Sequence, residues 1–183
     1  MPKTRYTYPA ISLHWLIAIL ILIAFSMGLI MSEMSFSPLK LQLISWHKWM
    51  GVTVFGLALL RLLWRLTHAA PPTDIARWEK TLAYVVHVLL YFLLFAVPLT
   101  GWLMSSAKGF QTVYFGVLAI PNIIAKNPEL GETLAQAHAL LNWIMAGIVV
   151  LHFLGALKHH FLDRNDVLTR MLPILKPLKK KSS

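Results

Sequence analysis

Four long apolar segments restrict the fold of this chain more than any other feature. They cover residues 9–31, 46–66, 81–105 and 134–161. A helix rises about 1.5 Å per residue, so each segment is long enough to cross a hydrocarbon core roughly 30 Å thick. Inside lipid, backbone polar groups must be satisfied within the segment, which favours helices. The sequence therefore predicts an all-α fold: one integral membrane four-helix bundle that forms a single domain over residues 1–183.

The composition agrees with a partner that is lipid and not nucleic acid. Hydrophobic residues make up 57% of the chain and charged residues 13%, against about a quarter charged in soluble domains. The net charge is +10, but the basic residues gather at the two ends and in one central segment, without the aromatic interleaving of a nucleic-acid surface. There is no cysteine, which excludes disulfides, thiolate-held iron–sulfur clusters and covalently attached c-type haem.

The distribution of Lys and Arg predicts how the bundle is oriented. Two of them precede the first segment, four lie between the second and third, and seven lie from Lys158 onward, which leaves four on the opposite side. By the positive-inside rule, both termini are expected in the cytoplasm, in a multi-pass protein of the bacterial inner membrane. The lysine-rich tail, Lys176 to Ser183, is expected to be solvated or to bind lipid headgroups. The long outer connection, residues 107–133, is expected to lie in the membrane interface as a cap over the bundle.

Histidines in the apolar segments are the candidates for chemistry. His138 and His152 lie fourteen residues apart, which puts them within about 40° of one helix face and ~21 Å apart along the axis. Two ionisable groups at this interval in lipid are costly, which favours a ligand function over simple hydrogen bonds between helices. His47 fits the outer level of His138. His14 and His87 both fit the inner level of His152, and depth alone does not choose between them.

Pairs of imidazoles at two levels predict two haems b. Two imidazoles fill both axial positions of a low-spin, electron-transferring haem. The same interval of fourteen residues leads from His14 to Gly28, from His47 to Arg61 and from His87 to Gly101. Glycine lets a helix approach a flat macrocycle closely.

The same interval places Arg61 at the inner haem level, and Arg65 lies one helical turn further along. An arginine can pair with a haem propionate through two hydrogen bonds, and both are candidates for that contact. The alternative is ordinary snorkelling of long side chains at a helix end.

A second candidate site lies at the cytoplasmic end of the fourth segment. His159 follows His152 by two turns on the same face, and His160 is next to it. Reduction of a quinone consumes two protons, so His159 is the first candidate for a proton-donating side chain in a quinone pocket, with Arg77 second. The alternative is a histidine pair that is merely stabilised by the helix dipole.

Several motifs together resemble the bacterial cytochrome b561 family. They are SLHWL around His14, SWHKWMG around His47, LLRLLWRL around Arg61, HVLLYFLLFAVPLTGWLM in the third segment, and QAHALLNW followed by VLHFLGALKHHF in the fourth. The resemblance implies that His14 and His152 bind the iron of the inner haem, and that His47 and His138 bind that of the outer haem. It leaves His87 as a packing or supporting residue in the quinone region.

The same resemblance implies an activity. Short stand-alone members of the family look like superoxide oxidases, which take electrons from superoxide at the periplasmic face and reduce ubiquinone. This is the preferred interpretation, because the short polar segments leave no large docking platform and Lys48, beside His47, would attract a superoxide anion. One alternative is a cytochrome b electron-transfer subunit of a hydrogenase or formate dehydrogenase, with a redox partner protein. A weaker alternative is a haem-free membrane subunit or transporter whose histidines bridge helices.

Overall fold

The computed structural model describes residues 5–73 and 75–175, and four long helices dominate it. The elements are α1 (Tyr8–Glu33), α2 (Pro38–Thr67), α3 (Arg77–Ala107), β1 (Thr112–Tyr114), β2 (Leu118–Ile120), α4 (Pro128–Phe161) and α5 (Val167–Met171). Helices α1 to α4 are long and apolar enough to cross a membrane, which confirms the predicted all-α membrane bundle. The predicted headgroup-binding tail, Lys176 to Ser183, lies outside the described residues.

Two helices begin well before the apolar segments that predicted them. α2 begins at Pro38, where the Ser37 hydroxyl accepts a hydrogen bond from the Lys40 amide. α4 begins at Pro128, where the Asn127 side chain accepts one from the Leu130 amide. A capping side chain followed by proline starts a helix whatever the hydropathy of the next residues. His47 therefore lies well inside α2, and not in the first turn that a helix over the apolar segment 46–66 would give it.

The helices pack in chain order around an apolar middle layer. α1 packs on α2, α2 on α3, and α3 on α4. Leu93, Val97 and Met145 are buried at mid-height, with Ile21 and Ile148 packed against them. We call the end that holds the start of α1 and the end of α4 the terminal end, and the opposite end the hairpin end.

The connection between α3 and α4 contains a β-hairpin and is not free coil. Strands β1 and β2 are antiparallel, and Phe115 and Gly116 both have positive φ, as a tight hairpin turn requires. The Trp49 indole donates to the Val113 carbonyl at 2.7 Å, and the hydroxyls of Thr53 and Tyr114 are 2.8 Å apart. Since Trp49 is about 200° around the helix from His47, the hairpin packs on the side of α2 away from that histidine.

The chain folds back under the bundle after α4. Arg164 adopts a left-handed φ of 51°, and the Asn165 amide then donates to the His159 carbonyl at 3.0 Å. Further along, the Trp15 indole donates to the Met171 carbonyl at 2.8 Å. We call residues 162–172 the return segment. It ties the end of α4 to α1 at the terminal end.

Candidate haem sites

Four of the predicted histidines form two pairs across the bundle. The ring centres of His14 and His152 are 6.2 Å apart, and those of His47 and His138 are also 6.2 Å apart. α4 contributes one histidine to each pair, because residues fourteen apart share a helix face. We call them the terminal-end pair (His14, His152) and the hairpin-end pair (His47, His138).

The separation within each pair suits two axial ligands of one metal ion. A metal–imidazole bond of about 2.0–2.1 Å, with the ring centre about 1.1 Å behind the nitrogen, puts two opposed ring centres roughly 6 Å apart. Both pairs meet this distance. His87 differs, because its ring centre is only 5.1 Å from that of His152. His87 thus lies beside His152, and its Nδ1 faces the Ala83 carbonyl in its own helix at 2.5 Å.

Backbone carbonyls orient the rings of the hairpin-end pair. Nδ1 of His47 lies 3.1 Å from the Ala24 carbonyl oxygen, and Nδ1 of His138 lies 3.0 Å from that of Val97. Since a carbonyl only accepts, each Nδ1 carries the proton and Nε2 keeps the free lone pair that a metal needs. The Thr100 hydroxyl, 3.2 Å from Nδ1 of His138, also supports that ring.

Two glycines make room against the hairpin-end pair, as the interval of fourteen predicted. A Cβ at Gly28 would lie 3.7 Å from Cε1 of His47, and one at Gly101 would lie 3.1 Å from Cε1 of His138. The cleft between the helices is lined by both histidines of this pair, by Asn142 and by otherwise apolar residues. A flat, largely apolar macrocycle between two imidazoles fits this lining.

Arg61 reaches the level of the terminal-end pair, but Arg65 turns outward. The Arg61 guanidinium donates to the Ala10 carbonyl at 2.7 Å, one helical turn before His14. Its remaining N–H groups are free to serve a propionate. Arg65 is exposed in the last turn of α2.

Lys48 is half-buried, and its ammonium faces α3. It donates to the Ser105 hydroxyl at 2.6 Å, and that hydroxyl donates to the Phe110 carbonyl at 2.5 Å. Lys48 therefore holds the start of the α3–α4 connection. The predicted attraction of superoxide by Lys48 would therefore act from this fixed position, next to His47 in the sequence.

His159 belongs to a polar cluster at the terminal end. Its Nδ1 lies 2.7 Å from Oδ2 of Asp163. The Lys158 ammonium lies 2.8 Å from the same oxygen and also pairs with Glu79. The hydrogen bond from Lys158, and secondarily the one from His159, holds the pKa of Asp163 below its usual range.

The predicted partner of His159 is not in this cluster. Arg77 is exposed at the first residue of α3. Sequence reasoning missed Asp163 and Glu79, although two signals were available: Asp163 follows His159 by four residues, and Glu79 stands in the first turn of α3.

Comparison with known proteins identifies the family. The family model for prokaryotic cytochrome b561 matches residues 5–173. The chain is 32% identical to the protein named cytochrome b561 homolog 2 of Escherichia coli, over 92% of this chain and 91% of that protein. It is 30% identical to the probable superoxide oxidase CybB of Yersinia pestis, over 92% of this chain and 96% of that protein. The chain therefore belongs to the prokaryotic cytochrome b561 family.

Proposed function

We propose that this chain carries electrons across the inner membrane between two bis-histidine haems b, oxidising superoxide at the hairpin end and reducing ubiquinone at the terminal end. Family membership makes it an electron-transport protein of a haem b family. The number of haems, the ligands and both substrates are the proposal. The observation that carries it is the equal 6.2 Å separation of the two histidine pairs.

The histidines of the bundle would bind haem at two levels. His47 and His138 would hold one haem and His14 and His152 the other; when bound, each haem supplies a one-electron carrier. Two histidines on each haem iron would keep small molecules off the metal. The buried layer of Leu93, Val97 and Met145 between the levels keeps water out. Arg61 is the first candidate for a propionate at the terminal end, with Arg65 second.

The two ends suit different half-reactions. Superoxide gives up one electron and leaves as dioxygen, so it needs an accessible haem edge and no proton donor. Ubiquinone takes up two electrons and two protons, and it needs an apolar cleft with protonatable groups near its mouth. Two superoxide anions, one ubiquinone and two protons thus give two dioxygen molecules and one ubiquinol. His159 at the terminal end is the proposed proton donor, with His87 and Arg77 as further candidates for the quinone region.

Charge supports the assignment of the sides. Of the 12 Lys and Arg residues in the described part of the chain, eight lie at the terminal end, which supports a cytoplasmic terminal end by the positive-inside rule. The likeness to a protein named probable superoxide oxidase supports the choice of superoxide as donor.

The test uses the purified full-length chain in detergent. We expect two haems b per chain by pyridine haemochrome assay, sharp reduced-state absorption bands, and fast haem reduction when superoxide is mixed in a stopped-flow instrument. One haem per chain would refute the two-level arrangement, and a haem-free protein would favour the transporter alternative. Haems that a partner dehydrogenase reduces, but superoxide does not, would instead identify an electron-transfer subunit.

A further inference from the structure

Among the residues that the structure describes, Nδ1 of His159 has a hydrogen-bond partner and Nε2 has none. Its Nδ1 lies 2.7 Å from Oδ2 of Asp163, and an ionised carboxylate can only accept, so Nδ1 carries the proton. The side-chain Nδ2 of Asn165 is 3.3 Å from the same Nδ1, but two donors cannot bond each other. The shorter contact to Asp163 therefore decides which ring nitrogen carries the proton. Nε2 is left with its lone pair, ready to take up a proton and pass it on.

Asp163 is anchored where it can hold this ring and still meet water. Lys158 donates to the same carboxylate oxygen at 2.8 Å and also pairs with Glu79. The low pKa of Asp163, caused first by the Lys158 hydrogen bond, keeps it a carboxylate at neutral pH. The side chain of His159 is 13% exposed and that of Asp163 is 31% exposed. The hydrogen bond between them therefore connects a largely enclosed imidazole ring to a carboxylate that water can reach.

The end of α4 produces this contact. Asp163 follows His159 by four residues, and its backbone amide donates to the Lys158 carbonyl at 3.2 Å, so its side chain lies over the last turn of the helix. The left-handed φ of Arg164 then reverses the chain, and the Asn165 backbone amide bonds the His159 carbonyl. His159 follows His152 by seven residues, on nearly the same face and about 10.5 Å further along the axis. The ring therefore lies between the terminal-end pair and the end of the bundle.

From this geometry we infer that Asp163 is a positioning residue for proton delivery by His159: it holds Nδ1–H of the ring and leaves Nε2 to take up a proton and pass it on. The inference rests on the proposed reduction of ubiquinone at this end. For each electron that the quinone receives through the terminal-end pair, an O–H bond forms on a quinone oxygen while the Nε2–H bond of His159 breaks. The imidazole then regains a proton from water at the Asp163 edge. Two such cycles deliver the two protons of the quinol, and Asp163 does not change its own protonation.

The experiment compares two carboxylates that both bind Lys158. Haems in the purified protein are reduced chemically, and their oxidation by a short-chain ubiquinone is followed by absorption. We expect Asp163→Asn to slow this oxidation about 10–100-fold, the usual loss when the partner that orients a functional histidine is removed. Glu79→Gln also removes an ion pair to Lys158. Glu79 lies within 4.8 Å of a His159 ring nitrogen but Asp163 is the carboxylate hydrogen-bonded to that ring, so Glu79→Gln should slow the oxidation much less than Asp163→Asn. Asp163→Glu should restore most of the rate.

Haem content and a double mutant distinguish a loss of His159 orientation from a loss of protein stability. Asp163→Asn should keep the wild-type haem content and the wild-type rate of haem reduction by superoxide. In a His159→Gln background, Asp163→Asn should cause no further loss, because the ring that it orients is gone. Equal slowing by Asp163→Asn and Glu79→Gln, additive effects in the double mutant, or a normal rate in Asp163→Asn would each overturn the inference. A wild-type protein whose reduced haems do not react with ubiquinone would instead refute the proposed function itself.

Discussion

At the scale of single residues, the contact between glycine and imidazole is the tightest constraint on the hairpin-end pair. A Cβ at Gly101 would meet Cε1 of His138 at 3.1 Å and its Nδ1 at 3.4 Å. That nitrogen also bonds the Val97 carbonyl, so the ring cannot shift without losing the bond that fixes its orientation. A side chain at position 101 therefore acts on the ligand and not only on the packing.

We expect Gly101→Val to remove or distort the hairpin-end haem and to leave the terminal-end haem intact. The branched side chain would push His138 out of line with His47, whereas His14 and His152 are about 20 Å away along α4. Haem quantitation and low-temperature absorption spectra measure this. The matched control is Gly147→Val, since a Cβ at Gly147 meets no atom within 4 Å. Loss of both haems from Gly101→Val would point to general misfolding.

The terminal-end ligands can be separated in the same way. His14 lies 6.2 Å from His152, as the other pair does, whereas His87 lies at 5.1 Å. We therefore expect His14→Ala to lose the terminal-end haem and His87→Ala to keep it with a small spectral shift. Electron paramagnetic resonance of the oxidised protein reports the axial ligands directly. Loss of this haem in His87→Ala, with retention in His14→Ala, would show that His87 is the ligand.

At the scale of elements, helical periodicity explains what the sequence could predict. An interval of fourteen residues fixes a helix face whatever the tertiary contacts, so His138, His152, Gly28 and Gly101 were placed correctly at their levels. The beginnings of α2 and α4 were wrong by several residues, because their caps at Ser37 and Asn127 lie outside the apolar segments.

Elements that depend on individual backbone angles could not be predicted. The return segment depends on the positive φ of Arg164, and the hairpin depends on the positive φ of Phe115. Neither arginine nor phenylalanine is a residue type that indicates a left-handed conformation. Asp163 is different: it follows His159 by four residues, so its contact with His159 could have been predicted from helical spacing.

The hairpin should be separable from the haem sites. Gly116 has a φ of 74°, a region that costs a branched residue about 1–2 kcal/mol. We expect Gly116→Val to loosen the hairpin and to speed amide hydrogen exchange over residues 112–120, while haem content stays unchanged. The reason is that the hairpin packs on Trp49 and Thr53, on the side of α2 away from His47. Val117→Ala, at a side chain that is 88% exposed, is the control. Loss of the hairpin-end haem from Gly116→Val would show that the hairpin supports the site.

At the scale of the whole molecule, the charges differ between the two ends. Among the described residues, the terminal end has eight Lys and Arg residues and the hairpin end has four lysines. Three of these four ammonium groups have partners: Lys40 bonds the Met34 carbonyl, Lys48 bonds Ser105, and Lys108 pairs with Glu132. Only the pairing with Glu132 cancels a charge, since a neutral hydroxyl or carbonyl leaves the positive field of a lysine in place. Lys48 is thus the cation next to the proposed acceptor, although its ammonium is held.

The two half-reactions should therefore respond to different mutations. Lys48→Glu is expected to slow haem reduction by superoxide about tenfold at low ionic strength, because it reverses a charge beside His47 and repels the anion. The difference from wild type should shrink at physiological salt, where the field is screened over roughly 8 Å.

Ubiquinol-driven haem reduction should be unaffected by Lys48→Glu but slowed in His159→Ala. His159→Ala should in turn leave haem reduction by superoxide unchanged. Lys126→Glu makes the same change of net charge at the hairpin end, but the Lys126 side chain packs against Gly109 in the α3–α4 connection and is not adjacent to a histidine ligand in the sequence, so it tests whether position matters. If Lys48→Glu and Lys126→Glu slow the superoxide step equally, only the overall charge steers the anion; if neither does, superoxide reaches the haem without steering.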